Sequence, residues 1–258
     1  STSTDSKVTK IGIRKMSAKA SAIGKWVNAT IAPRLLMAPA SIRNNKASIQ
    51  GGGIYLRGFS AGSLNEDTKD ARALLWNAEL RGNSAPSGAA IYADGQDNFV
   101  FPHADVLFNV DAPFLAEPPP GFVCPANQFC GGILDNVAQT PDGTPTDGAV
   151  LHMVRGAFMN LGGHDDNSSL RGGLTIEGNR GGRLIFVGGD NEVRVENVLI
   201  SDNQVSRPLI AVEADSRLGL TDLTLAGNVI ASGNPVLQLG NGGVELRRSI
   251  LWQPGQTL

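Results

Sequence analysis

The sequence predicts an all-β fold: a single right-handed parallel β-helix, a solenoid of stacked short strands, with a long loop insertion. Three observations lead to this fold class. The chain contains repeat units that are between twenty and thirty residues long, and within them apolar residues alternate with period two in short runs. In addition, 32 of the 258 residues are glycine and only 5% are aromatic. A glycine share well above the usual ~7% suits a narrow core with frequent turns.

The repeat is clearest where two segments align without a gap. RLLMAPASIRNN at 34–45 matches RALLWNAELRGN at 72–83, and both continue to an Ile-Tyr pair. Later units read GGLTIEGN, VRVENVLISDN and LGLTDLTLAGN, and VELRRSILWQP follows with Pro254 at the place of the final Asn. These apolar runs of three to six residues predict short strands, and the unit length fits one coil of a solenoid.

Most repeat units end in Asn, at Asn83, Asn179, Asn203 and Asn228. Asn tolerates the left-handed backbone region that a sharp corner between strands requires. Stacked from coil to coil, Asn side chains can also form a hydrogen-bonded ladder. We therefore expect these four residues to be interior and structural.

The repeat units IRNNKASIQGGGIY and LRGNSAPSGAAIY resemble those of bacterial secreted right-handed parallel β-helix proteins. That group includes polymorphic outer-membrane proteins and adhesin-like surface proteins, and pectate-lyase-like enzymes share its fold. The resemblance covers most of the chain except about 96–148. It implies a secreted, extracellular or cell-surface location in a bacterium, and no catalytic motif of the family's enzymes can be matched here.

The whole of 1–258 reads as one β-helix domain, with an irregular insertion at about 96–148. A polar segment at 58–70 is a shorter break. Within the insertion, Cys124 and Cys130 in the run CPANQFC predict a local disulfide, because the cysteine count is even and the loop is short. A metal pair is the alternative, but no second Cys or His pair supplies the remaining ligands.

A polar cluster in GGHDDNSS at 162–169 supplies the candidate chemistry. Asp165 and Asp166, with Arg180 further on, are the candidate catalytic residues of a carbohydrate-cleaving enzyme. Asp165, Asp166 and Asn167 are also candidate calcium ligands, and calcium is the one cofactor considered. A solvated turn is the alternative to both. Ser60 in GFSAG matches a nucleophile elbow, but the β-repeat that follows leaves no room for the helix this motif needs.

Charge is distributed unevenly along the chain. Residues 1–60 carry ten Lys and Arg against Asp5 alone, whereas the whole chain has a net charge of −2. A basic segment can hold an acidic polymer, but the small number of aromatics beside these charges argues against nucleic acid as the partner. His103 and His152 stand alone in the sequence. No run of ~18 apolar residues is present, so no membrane span is predicted.

Two function classes remain. The first is a structural or adhesive surface protein that binds a polysaccharide or a surface protein, with possible self-association through solenoid ends that lack caps. The alternative is a polysaccharide lyase or glycoside hydrolase of the pectate-lyase-like fold. The sequence leaves the question of catalysis open but favours the first class, since no acid–base set repeats on neighbouring coils and both classes occur on β-helices.

Overall fold

The computed structural model describes residues 34–37, 40–58, 71–95, 104–109, 129–162, 173–213 and 215–257. These residues form parallel strands arranged in four sheets, which we call A, B, C and D in the order in which each coil passes through them. The predicted parallel β-helix is thereby confirmed. Crossover connections between parallel strands wind to the right in almost all proteins, which is the hand that the sequence analysis predicts.

Sheets A and B each contain seven strands. Sheet A consists of β1 (Arg34–Met37), β4 (Ala71–Leu75), β8 (Ala104–Phe108), β12 (Ala157–Leu161), β16 (Glu192–Glu196), β20 (Arg217–Thr221) and β24 (Gly243–Arg247). Sheet B consists of β2 (Ser41–Arg43), β5 (Glu79–Arg81), β9 (Phe129–Leu134), β13 (Gly173–Glu177), β17 (Val198–Ser201), β21 (Thr224–Ala226) and β25 (Ile250–Trp252).

Sheets C and D complete the coils. Sheet C has five two-residue strands: β6 (Ser84–Ala85), β10 (Val137–Ala138), β14 (Arg180–Gly181), β18 (Gln204–Val205) and β22 (Val229–Ile230). Sheet D has six strands: β3 (Ile54–Arg57), β7 (Ile91–Asp94), β11 (Ala149–Val154), β15 (Arg183–Gly188), β19 (Ile210–Val212) and β23 (Leu237–Leu239).

The core is built of apolar columns that run along the solenoid axis. Strand side chains alternate between the interior and the surface, and in-register parallel pairing places interior residues of successive coils above one another. In sheet A one such column consists of Leu75, Phe108, Leu161, Val195 and Leu220, all at most 3% exposed. Removal of this apolar surface from water is the main stabilising term of the fold.

A ladder of asparagine side chains follows the corner between sheets B and C. Its members are Asn45, Asn83, Asn136, Asn179, Asn203 and Asn228, and each Nδ2 donates to Oδ1 of the next member at 2.8–3.0 Å. Gln253 follows Asn228: its Oε1 accepts from the Asn228 backbone N–H and its Nε2 donates to the Asn228 carbonyl, both at 2.9 Å. Gln253 therefore occupies the ladder position at which the repeat pattern predicts Pro254.

The left-handed corner residue is the one before each ladder asparagine, not the asparagine itself as expected. These residues are Asn44, Gly82, Asp135, Gly178, Asp202 and Gly227, with φ between 54° and 68°. Glycine alternates with Asn or Asp along the stack. A Cβ on Gly178 would lie 2.5 Å from Oδ1 of Asp135, so the glycine leaves space for the side chain of the coil before it.

The segment 96–148, expected to be an irregular insertion, contains three strands of the stack. β8, β9 and β10 pair with both neighbouring coils, and Asn136 belongs to the asparagine ladder. The run GGILDN at 131–136 is the sequence signal, because it ends like VLISDN at 198–203. Within the segment, residues 96–103 and 110–128 lie outside the described residues.

Candidate functional site

Most of the candidate catalytic and metal-binding residues lie outside the part of the chain that the structure describes. This applies to Asp165, Asp166 and Asn167, and also to Ser60 and His103. Their catalytic and calcium-binding roles stay predictions. Within the described ranges, no group of three or more His, Cys, Asp or Glu side chains could hold a metal ion.

Arg180 and Cys130 are the members of the predicted sets that are described. Arg180 is exposed in β14 of sheet C, where its Cα partners are Val137 and Gln204. Cys130 lies in β9, and no free thiol is found among the described residues. Because Cys124 is outside the described residues, the predicted disulfide stays a prediction.

His152, which stands alone in the sequence, belongs to a stack of rings on the outer side of sheet D. The register of β3, β7, β11 and β15 places Tyr55, Tyr92, His152 and Phe186 one above another. The ring centroids are 5.6, 4.9 and 4.7 Å apart in that order. Parallel pairing alone is sufficient to bring these rings together, since each takes the same position in its strand.

The environment of His152 favours the neutral imidazole. Burial and, to a smaller extent, the charge of Arg183 lower the pKa of His152 to about 4. Its Nδ1 lies 2.7 Å from Oγ of Ser87. A serine–histidine pair can form a nucleophile and its base, but a base works best when its pKa is near the working pH. Because its pKa is low and neighbouring rings cover it, we assign His152 a structural role in the ring stack and not the role of a catalytic base.

A buried carboxylate lies beside this stack. The Asp94 side chain is only 3% exposed, and Arg155 donates to both of its oxygens, with Nε to Oδ1 at 2.8 Å. Arg57 approaches Oδ2 at 3.9 Å. A buried charge requires such partners, so we interpret the three residues as a structural ion cluster beside the ring stack.

The outer face of sheet A carries a charged groove with a cavity volume of about 490 Å³. It runs across β16, β20 and β24 and is lined mainly by three glutamates and three arginines: Glu192, Glu196, Glu245, Arg194, Arg217 and Arg247. Gly219 lies in the middle strand, and a Cβ there would meet only the Arg194 side chain, at 3.9 Å. The missing side chain leaves the floor of the groove open.

The charges of the groove are balanced by pairing along its strands. Arg194 contacts Glu192 at 2.6 Å, and Arg247 contacts Glu245 two residues away. Arg217 lies next to Glu192 in the strand register and forms no ion pair that the described residues supply. The groove therefore offers carboxylate acceptors and guanidinium donors, and the guanidinium of Arg217 is available to an incoming group.

Comparisons with known proteins identify one matching repeat. The family model of the Chlamydia polymorphic membrane protein repeat matches residues 39–57. This stretch contains β2, β3 and the first ladder asparagine, Asn45, and the match agrees with the resemblance seen in the sequence. No curated protein and no solved structure matches the chain.

The fold defines the class of the protein, a parallel β-helix, and its stretch 39–57 is similar to the Chlamydia polymorphic membrane protein repeat. The described residues contain no helix with the length and hydropathy of a membrane-spanning segment.

Proposed function

We propose that this chain is a structural and adhesive protein of the bacterial cell surface that binds a polysaccharide along the outer face of sheet A. The charged groove on β16, β20 and β24 is the observation that carries this proposal. The repeat match at 39–57 supports the surface location, because the matching family is one of membrane proteins.

The chemistry of the groove favours a hydroxyl-rich polymer over a protein partner. Charged residues are depleted in the centre of protein–protein interfaces, whereas here they form most of the lining. Sugar hydroxyls both donate and accept hydrogen bonds, so they can use the Glu192 carboxylate and the Arg194 guanidinium at the same time. The glycine at 219 lets the polymer approach the backbone of β20.

Stacked strands also suit the groove to an extended ligand. β16 and β20 pair on both sides, so the backbone spacing of the outward side chains is fixed along the groove. Adhesion of this kind requires neither turnover nor a bound cofactor.

The test is a binding and turnover screen of the 258-residue chain on a polysaccharide panel, with and without calcium. Arg217→Ala and Gly219→Phe are expected to weaken binding by about tenfold or more, since each removes a charge-assisted contact or fills the floor. Arg180→Ala is the matched control, because it removes an exposed arginine from sheet C and should leave binding unchanged.

Two outcomes would contradict the proposal. Absence of binding to every polysaccharide would exclude the adhesive role of the groove. Release of reducing ends or unsaturated product, lost in Asp165→Ala or Asp166→Ala, would make the protein an enzyme of the lyase or hydrolase class instead.

A further inference from the structure

The middle of the charged groove is a gap at the position of Gly219, the central outward residue of β20. Its neighbour in register on β16 is Arg194, and Cγ of Arg194 is the nearest described atom to a Cβ placed on Gly219, at 3.9 Å. Arg217 and Thr221 lie two residues to either side on β20 and project from the same face of the sheet. A group that enters the gap therefore lies between the side chains of Arg217 and Thr221.

Two contacts direct the Arg194 guanidinium away from this gap. Its Nε donates to Oε1 of Glu192 at 2.7 Å, and Nη2 lies 2.6 Å from the same oxygen. Its Cζ also lies 5.7 Å from the centre of the Phe158 ring, and the negative face of an aromatic ring attracts a guanidinium. Phe158 belongs to β12, which pairs with β16 on the side opposite to β20. Arg194 is therefore already engaged with a carboxylate and a ring.

Arg217 is an exposed charge at the edge of the gap, and the described residues supply no counter-charge for it. Its neighbour in register, Glu192, already accepts from Arg194, and the carboxylate on β24 contacts its own arginine. Glu196 lies four residues from Glu192 along β16, about 13 Å away at ~3.3 Å per residue. Salt screens exposed charges beyond about 8 Å, so Glu196 does not compensate the charge of Arg217.

We propose that the groove selects polysaccharides whose sugar units carry a carboxylate, with the carboxylate on Arg217 and the sugar ring over Gly219. A guanidinium presents two parallel N–H donors to the two carboxylate oxygens, and this pair is about twice as strong as a neutral hydrogen bond. A neutral polymer has only hydroxyl groups for the same donors. The inference rests on the polysaccharide binding proposed above and adds the chemical class of the ligand.

Paired polymers that share one backbone test this selection. Dextran with carboxymethyl dextran is one pair, and hydroxyethyl cellulose with carboxymethyl cellulose is the other. Titration calorimetry on the full 258-residue chain should give a Kd at least about tenfold lower for the carboxymethyl member of a pair that binds. The preference should decrease as NaCl is added, because ions screen an exposed guanidinium.

Variants of Arg217 assign the preference to this side chain. Arg217→Gln should bring the Kd ratio of a pair to about one, with an unchanged far-UV circular dichroism spectrum because the side chain is exposed. Arg217→Lys keeps the charge but not the two parallel donors, and it should give an intermediate ratio. Arg180→Gln is the matched control, because it removes an exposed arginine from sheet C and should leave the ratio unchanged.

Each contrary result distinguishes the selection from the polysaccharide binding itself. Absence of binding to every polymer overturns the polysaccharide function and the selection with it. Equal affinity for the charged and neutral members of a pair, or a preference that survives Arg217→Gln, overturns the selection alone. Tighter binding of dextran sulfate than of carboxymethyl dextran, at equal numbers of charges per chain, would overturn the assignment of a carboxylate.

Discussion

Replacement of Asn136 by alanine tests the asparagine ladder at a position in its interior. Asn136 is fully buried, and its Nδ2 donates to the Leu80 carbonyl at 2.9 Å and to Oδ1 of Asn179 at 3.0 Å. Its Oδ1 accepts from the backbone N–H and from Nδ2 of Asn83, both at 3.0 Å. Alanine removes all four hydrogen bonds and supplies no side-chain donor or acceptor to replace them.

The expected cost follows from the groups left without a partner. The Asn83 backbone N–H and one Asn83 amide proton stay buried without an acceptor, at about 1–3 kcal/mol each, and the Leu80 carbonyl and Oδ1 of Asn179 each lose one donor. Because neighbouring effects do not add fully, we expect Asn136→Ala to lower the free energy of unfolding by about 3–6 kcal/mol. This is a large part of the stability of a typical domain.

Urea unfolding followed by circular dichroism measures the effect. Gln204→Ala serves as the control, because Gln204 directly follows the ladder residue Asn203 but is exposed, and its replacement should change stability by about 0.5 kcal/mol or less. If Asn136→Ala is destabilised by no more than the control, the ladder does not hold the coils together. The unfolding slope should also be compared, since solenoids can unfold in parts.

Three further predictions concern sheet D and the corners. Because burial lowers the pKa of His152 from 6.5 to about 4, the unfolded chain binds more protons between these values, and stability should fall by about 2 kcal/mol from pH 8 to pH 5. His152→Phe should abolish this part of the urea-measured pH dependence, and an unchanged slope would contradict the assignment. Gly178→Ala should cost about 1–3 kcal/mol, because φ is +68° and the new Cβ would clash with Asp135; an unaltered melting temperature would refute this. Arg155→Met should cost about 3 kcal/mol by removing the two hydrogen bonds that Arg155 donates to the buried Asp94 carboxylate, and Asp94→Asn in the same chain should recover part of the loss.

The fold class is accessible from the sequence because period-two alternation and the Asn-terminated repeat are both local patterns. The two-residue strands of sheet C are too short to leave such a pattern. The pattern does not predict Asn136 as a ladder residue for a related reason. Asn136 lies within an irregular stretch, and Gly131 and Gly132 before it are typical of a turn. In the structure, Gly131 has φ of +79° and the strand β9 nevertheless continues through it.

The candidate site was harder to predict, because the chemistry of a solenoid surface arises between coils. The sequence predicts Asp165 and Asp166 as a site because they are adjacent in the chain. The groove instead collects outward side chains from β16, β20 and β24, which become neighbours only through the strand register. No local sequence pattern predicts that Gly219 forms the floor of the groove or that Arg217 lies beside Glu192.

The unequal spacing of the ladder asparagines has a mechanical consequence. Successive members are separated by 38, 53, 43, 24 and 25 residues from Asn45 to Asn228. Under a force applied to the two ends of the chain, coils that detach singly from the C-terminal side would each release their own contour length. The last coil, from Asn228 to Gln253, has 25 residues. The first three steps would therefore be about 80–90 Å and the fourth about 140–155 Å, since an extended residue spans at most ~3.3–3.6 Å. The force-extension trace of one molecule would thus report the length of each coil in order.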